Sequence, residues 1–185
     1  MRGVIIMQKK SSVLKLVLCA LFTALLAVCS QIQIPLPYVP INLALFAVHL
    51  AGALLGPLYG GLSVLIYLLL AAVGVPVLAG FRGGLGALMG STGGYVVGYI
   101  FTAVIAGFAS KYWGDRFWKL CVSMVVGFAV CYVFGTIWYM ILSGNSLAVS
   151  LSYCVWPFIP GDIVKVLLAA FLTLRLRKPL AAILQ

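Results

Sequence analysis

Six apolar stretches occupy most of this chain and leave little room for other structure. They cover residues 12–32, 41–55, 58–73, 91–110, 120–142 and 162–176. A helix needs about 20 apolar residues to cross roughly 30 Å of hydrocarbon, so such stretches are typical of transmembrane helices. Only 8% of the residues are charged, whereas a soluble domain carries about 25%. We therefore predict an all-α integral membrane protein, a single transmembrane domain over residues 1–185 with six transmembrane helices.

The connections between these stretches are rich in proline and glycine. Pro35, Pro37 and Pro40 exclude a helix interior and predict an extended loop over 33–40. Gly56-Pro57 predicts a tight turn between the second and third stretches, and the glycine-rich residues 74–90 interrupt the helical pattern. Residues 1–11 are expected to form a short basic tail, followed by a retained first helix and not a cleaved signal peptide.

The basic residues predict the orientation in the membrane. Six spans place both termini on one side, and the positive-inside rule makes that side cytoplasmic. It collects Arg2, Lys9, Lys10, Lys15, Lys111, Arg116, Lys119, Arg175, Arg177 and Lys178, together with the acid Asp115. The loops 33–40, 74–90 and 143–161 are then extracellular.

The remaining composition excludes several classes of function. The net charge is +10, but the basic residues lie between apolar runs and form no basic face. Nucleic acid is therefore not predicted as a partner. The five cysteines lack ligand spacing and are expected to be buried free thiols, with no metal site and no cofactor. His49 is the only histidine, so the sequence offers no Ser/His or His-x-x-x-His arrangement that would support an intramembrane enzyme. For His49 itself, a hydrogen-bonded packing role is the favoured interpretation.

Asp162 and Lys165 open the last apolar stretch, in the run Trp-Pro-Phe-Ile-Pro-Gly-Asp-Ile-Val-Lys. Their i, i+3 spacing puts both charges on one helix face. Each would cost roughly 2.5–3.5 kcal/mol if it faced hydrocarbon, so the pair is expected to face a cavity, a partner or a ligand. Alternatively, Asp162 is the N-cap of the helix and Lys165 only neutralises it.

Further polar groups are predicted on the same outer face. They are Arg82, Asn42, Ser91, Thr92, Tyr95, Asn145 and Trp156. This inventory suits a small, partly apolar molecule with N–H donors and a carboxylate. The chain has no ATP-binding motif, so active transport would need a partner.

Ala20 and Ala24 form a small-xxx-small pattern in the first stretch, which permits close approach of another helix. On spacing alone, an ordinary contact within the chain is the favoured interpretation.

Two motifs resemble the signatures of the BioY family, the biotin-specific substrate-binding subunits of energy-coupling factor (ECF) transporters. They are Gly-Ser-Thr-Gly-Gly-Tyr at 90–95 and Pro-Phe-Ile-Pro-Gly-Asp-Ile-Val-Lys at 157–165. The resemblance covers essentially the whole chain. It implies a six-helix S-component bundle in the plasma membrane that binds biotin outside and associates with a transmembrane coupling subunit (EcfT) and two cytoplasmic ATPases.

The resemblance also implies roles for individual residues. Asp162 and Lys165 would be the polar clamp, and Gly83, Gly84, Gly93, Gly94 and Tyr95 would line the pocket. Ala20 and Ala24 would contact the coupling subunit. Asn42 stands in a segment that departs from the family's usual Thr-Leu-Gln.

Our leading hypothesis is high-affinity biotin capture, in which Asp162 accepts a ureido N–H and Lys165 donates to the ureido oxygen. The carboxylate would then meet Arg82 or main-chain N–H groups, although the reverse orientation remains open. The alternative hypothesis is a membrane scaffold or sensor in which Asp162 and Lys165 form a structural ion pair.

Overall fold

The structure is a computed structural model that describes residues 2–36, 38–113 and 116–184. Its elements are α1 (Arg2–Gln31), β1 (Gln33–Ile34), β2 (Ile41–Asn42), α2 (Ala44–Ala72), α3 (Leu85–Leu88), α4 (Gly93–Trp113), α5 (Phe117–Ser143), α6 (Leu147–Cys154) and α7 (Ile159–Leu184). The predicted cytoplasmic acid Asp115 lies outside the described residues.

Two helices are longer than the sequence predicts. Helix α1 begins at Arg2, so residues 2–11 are helical and not a tail. Helix α7 begins at Ile159 and continues through Pro179 to Leu184, well beyond the predicted 162–176. Hydropathy marks only the part of a helix that suits hydrocarbon, and polar extensions of the same helix escape it.

Helix α2 is broken at Gly56, whose φ of 81° and ψ of 177° are not helical. A Cβ on Gly60 would lie 2.6 Å from the Cα of Gly52. In one straight helix, residues eight apart would be separated by about 12 Å. The chain therefore doubles back at Gly56-Pro57, and α2 consists of two packed arms, which confirms the predicted turn.

Four helices are long and apolar enough to cross a membrane: α1 from Val13 to Gln31, α2, α4 and α5. A fifth span results if α6 and α7, which are bent by 52° to each other, count as one. The count treats the two arms of α2 as a single helix. The structure is thus a mostly helical membrane bundle, with four to five candidate spans by this measure.

The core of the bundle forms where α2, α4 and α5 meet. His49 in α2 points both ring nitrogens at carbonyl oxygens, Leu45 O at 2.7 Å and Met124 O at 3.0 Å. Its ring also stacks on Phe128 at 4.7 Å between centroids. These contacts confirm a hydrogen-bonded packing role for this residue. All five cysteines are free and buried, as predicted.

The connections from α1 to α2, from α2 to α4 and from α5 to α7, with the short helices α3 and α6, gather at one end of the bundle, which we call the loop end (residues 32–36, 38–43, 73–92 and 144–158). Gln31 at the end of α1 donates to the carbonyl oxygens of Val77 and Leu78, both at 3.1 Å. At the opposite end, Arg177 in α7 donates to the carbonyl of Ser110 in α4 at 2.9 Å. The predicted convergence of the proline loop, the glycine loop and the start of α7 is confirmed.

Candidate functional site

The Asp162–Lys165 pair lies in the first two turns of α7, inside the bundle at the loop end. The Lys165 ammonium donates to Asp162 Oδ1 at 2.7 Å. Both residues are 6% exposed. A buried ion pair needs further hydrogen bonds to offset the loss of water around each charge.

Tyr132 in α5 supplies one of these bonds. Its hydroxyl donates a short hydrogen bond to Asp162 Oδ2. Each carboxylate oxygen therefore has a donor, one from α7 itself and one from α5, and the pair is fixed between two helices.

The structure contradicts the interpretation of Asp162 as an N-cap. Helix α7 begins three residues earlier, at Ile159, and the backbone N–H of Asp162 already donates to Phe158 O at 2.9 Å. Its side-chain oxygens bind Lys165 and Tyr132. Pro160 is the second residue of the helix, where a backbone N–H would have no partner within the helix, so this proline is compatible with a start at Ile159.

A pocket lies beside the pair at the loop end, and Lys165 is part of its wall. The wall is formed by Val39, Pro40, Asn42, Leu45, Tyr67, Leu78, Ala79, Thr92, Tyr95, Val96, Tyr99, Tyr132, Phe158 and Lys165. These residues come from the β1–β2 connection, α2, the glycine loop, α4, α5 and α7. The lining is mostly apolar and aromatic, with few polar groups, which is the usual character of a small-molecule site.

The pocket is closed in this conformation. Its free volume is about 40 Å³, room for a few water molecules at about 10–15 Å³ each. Val39 and Pro40, between β1 and β2, form part of its wall. Next to them, the Tyr38 ring packs 4.4 Å from that of Tyr153, and Ser91 donates to Tyr38 O at 2.9 Å. A larger ligand therefore needs the wall to move apart.

Three predicted site residues line the pocket: Asn42, Tyr95 and Lys165. Asn42 accepts a hydrogen bond from Ala44 N at 3.0 Å, which places its side chain at the start of α2. The Tyr95 hydroxyl donates to Cys154 O at 2.7 Å, so this ring forms pocket wall while its hydroxyl holds the end of α6.

Two charged or aromatic candidates lie away from the wall. Arg82 is exposed and its Nε donates to the carbonyl of Ala79, a pocket residue, at 3.0 Å. Trp156 is 68% exposed. Asp162 is also absent from this wall and instead lines a second concavity between α5 and α7.

The four predicted glycines are absent from the pocket wall; Gly83, Gly93 and Gly94 pack against backbone or side chains, whereas Gly84 has only a positive φ that favours glycine. A Cβ on Gly83 would lie 2.4 Å from Val75 O, and Gly84 has a φ of 90°. A Cβ on Gly93 would lie 1.9 Å from Leu88 O, and one on Gly94 would lie 2.3 Å from Trp138 Cβ. These glycines allow close approach within the glycine loop and between α4 and α5.

The sequence analysis missed several aromatic wall residues, namely Tyr67, Tyr99 and Tyr132. Tyr99 follows Tyr95 by four residues, so helical spacing puts both rings on one face and could have revealed it. Tyr132 reaches the site from another helix, and no local pattern marks it.

Ala20 and Ala24 are both exposed on α1. Together with Leu16, Ile66 and Leu70 they line a shallow depression on the outside of the bundle. Neither alanine is buried by another helix of the chain, and their contact with a partner stays a prediction.

Comparison with known proteins assigns the chain to a family. The profile of the BioY family matches residues 7–182. The chain belongs to the BioY family. It is 37% identical to the biotin transporter BioY of Thermotoga maritima, over 89% of this chain and 96% of that protein. It is 40% identical to the probable biotin transporter BioY of Pyrococcus horikoshii, over 86% and 94%.

A solved structure agrees with this membership. The crystal structure of the S-component for biotin from an ECF-type ABC transporter matches with a TM-score of 0.84 and 34% identity, over 90% of this chain and 92% of that one. The resemblance to BioY and the S-component fold are thus confirmed. The chain is a multi-pass plasma-membrane protein of a transport family and not an enzyme.

Proposed function

We propose that this chain captures biotin at the cell surface as the substrate-specific subunit of an ECF transporter. The observation that carries the proposal is the buried Lys165 ammonium in the wall of an aromatic pocket. The likeness to the S-component for biotin, which extends over 90% of the chain, supports it. The relatives favour this function over a membrane scaffold or sensor.

Lys165 is the direct polar contact in this proposal. An ammonium has three N–H donors, and the bond to Asp162 uses one of them. The others donate to a biotin oxygen, either of the ureido group or of the carboxylate. The rings of Tyr95, Tyr99 and Phe158 enclose the apolar body.

Asp162 holds the ammonium in place from behind. For Asp162 to accept a ureido N–H directly, as the sequence hypothesis has it, the side chain would turn away from Tyr132 toward the pocket. In the closed conformation the positioning role has better support, because both carboxylate oxygens already have donors.

The other predicted site residues receive supporting roles. Arg82 meets the biotin carboxylate at the rim, next to Ala79. Asn42 supplies an amide in the wall, and Trp156 lies on the entrance side. Gly83, Gly84, Gly93 and Gly94 shape the backbone around the pocket and bring Tyr95 into its wall.

The proposed topology has six spans and cytoplasmic termini. Counting each arm of α2, on either side of the reversal at Gly56, as a separate crossing adds one to the five counted by length and composition. The positive-inside rule then puts the loop end outside. Biotin reaches the pocket from the extracellular side.

The proposed partners are a transmembrane coupling subunit and two cytoplasmic ATPases. The exposed small-residue patch at Ala20 and Ala24 supports a helix contact with the coupling subunit, because small side chains let helix backbones approach closely in a membrane. The chain itself carries no nucleotide-binding motif, and the ATPases supply the energy.

A ligand titration tests the proposal. Detergent-solubilised protein is titrated with biotin, and with riboflavin and thiamine as controls, while tryptophan fluorescence is recorded. We expect saturable binding of biotin alone. Saturation by a control vitamin instead of biotin, or by none of the three, would overturn the proposal.

A further inference from the structure

A second concavity lies between α5 and α7 and is distinct from the pocket. Its volume is about 520 Å³, and it is lined almost entirely by apolar side chains, including Val122, Val125, Val126, Ala129, Ile163 and Leu167. It is open on its outer side, since Val125 and Ile163 are each 57% exposed. We call this concavity the lateral groove.

The lateral groove lies on helices that cross the membrane. Helix α5 is a candidate span, and α7 is one together with α6. From Trp118 to Tyr132, α5 rises by about 21 Å at 1.5 Å per residue. Half of a hydrocarbon core is about 15 Å thick, so one acyl chain from one leaflet spans about two thirds of the groove.

The two ends of the lateral groove differ in charge. At the Tyr132 end, the Asp162 carboxylate is already bound by Lys165 and Tyr132. At the Trp118 end, Arg116 and Lys119 are exposed next to the groove. Residues 111–119 carry Lys111, Arg116 and Lys119 against Asp115, three positive charges and one negative, hence a net +2.

This arrangement fits an amphipathic molecule with a negative head and an apolar tail. Basic residues next to a membrane surface attract anionic lipid headgroups. Tryptophan prefers the boundary between headgroups and hydrocarbon, which is the position of Trp118 at the mouth of the groove.

We propose that the lateral groove binds one acyl chain of an anionic phospholipid, with its headgroup at Arg116 and Lys119. The chain runs from Trp118 toward Tyr132. Because Tyr132 lines both the lateral groove and the pocket, one residue separates the two.

Photo-crosslinking in vesicles tests this proposal without the use of biotin. The full-length protein carries p-benzoylphenylalanine in place of Val125, inside the groove. The matched control carries it in place of Val133, on the same helix outside the groove; both valines are 57% exposed. Vesicles contain equal amounts of phosphatidylglycerol and phosphatidylcholine, and adducts are identified by mass spectrometry.

The proposal predicts lipid adducts at position 125 that are at least threefold enriched in phosphatidylglycerol over those at position 133. The double variant Arg116→Gln/Lys119→Gln should lose that enrichment while adduct yield persists. Equal headgroup ratios at both positions would overturn the proposal. So would enrichment that survives the double variant, or adducts at 125 with a second copy of the protein in place of lipid.

Discussion

The hydroxyl of Tyr132 in α5 donates a hydrogen bond to Oδ2 of Asp162 in α7. Lys165 occupies the other carboxylate oxygen at 2.7 Å. This chain of contacts ends in the pocket wall, which Lys165 forms together with several aromatic residues. The position of the proposed ligand-binding cation therefore depends on a contact between two helices.

Replacement of Tyr132 by Phe tests this dependence. The variant keeps the ring but removes a hydrogen bond to a charged group, which is worth about 1.5–3 kcal/mol. We expect biotin affinity to fall about threefold to tenfold and the melting temperature to fall in detergent. Tyr112→Phe is the control, because Tyr112 is 70% exposed at the other end of α4. Equal behaviour of the two variants would contradict the positioning role.

Loss of one partner of the ion pair should destabilise the protein more than loss of both charges. Lys165→Met leaves a buried carboxylate without its counter-charge, at a cost of about 3–5 kcal/mol. The double variant Asp162→Asn/Lys165→Gln removes both charges and should recover much of that stability. Thermal unfolding of the single and double variants in one detergent measures the difference. A double variant that is no more stable than Lys165→Met would argue against the pair as a unit.

The close contact of α4 with α5 predicts a contrast between two glycines. In Gly94→Ala the new Cβ would lie 2.3 Å from Trp138 Cβ, whereas a Cβ on Gly86 meets nothing within 4 Å. Overpacking costs typically about 1–3 kcal/mol, so Gly94→Ala should lower the melting temperature and weaken biotin binding. Gly86→Ala should leave both near wild type. Tolerance of Gly94→Ala would mean that α4 and α5 are less tightly packed than described.

The exposed alanines on α1 predict that assembly with the coupling subunit can be blocked without loss of biotin binding. Ala20→Trp/Ala24→Trp should block docking of a coupling subunit by steric bulk, while biotin affinity stays within twofold of wild type. Co-purification with the coupling subunit and ATPases measures assembly. The control Leu21→Trp changes a residue that is 60% exposed and points about 100° away from Ala20 and about 60° away from Ala24 on the helix. Co-purification at wild-type level for the double variant would place the partner elsewhere.

The fold was predictable from the sequence where hydropathy and backbone chemistry act locally. Apolar stretches located the helices. Gly56-Pro57 located the reversal in α2, because glycine adopts a positive φ without steric cost and the turn is therefore encoded locally. The helical extension before residue 12 was missed, since polar turns of a helix carry no hydropathy signal. The convergence of the proline loop, the glycine loop and the start of α7 at one end was predicted from the number of spans, because every second connection between spans lies on the same side of the membrane.

The candidate site was only partly predictable. Asp162 and Lys165 were found because charges in an apolar helix are rare, and their i, i+3 spacing gave the ion pair directly. The rotation of α7 relative to α2 and α5 decides which of the two residues lines the pocket. That rotation cannot be predicted from residue spacing along α7 alone. For the same reason Tyr132, which approaches from α5, was missed.

Calorimetric titration of the purified protein with biotin, alongside the Asp162→Asn variant, tests the central claim most directly. The account predicts saturable binding to the wild type and an affinity at least tenfold lower in the variant, because Lys165 loses a charge-assisted bond that orients it. The same dissociation constant for both proteins, or no binding heat with the wild type, would contradict the claim that this ion pair prepares the pocket for biotin.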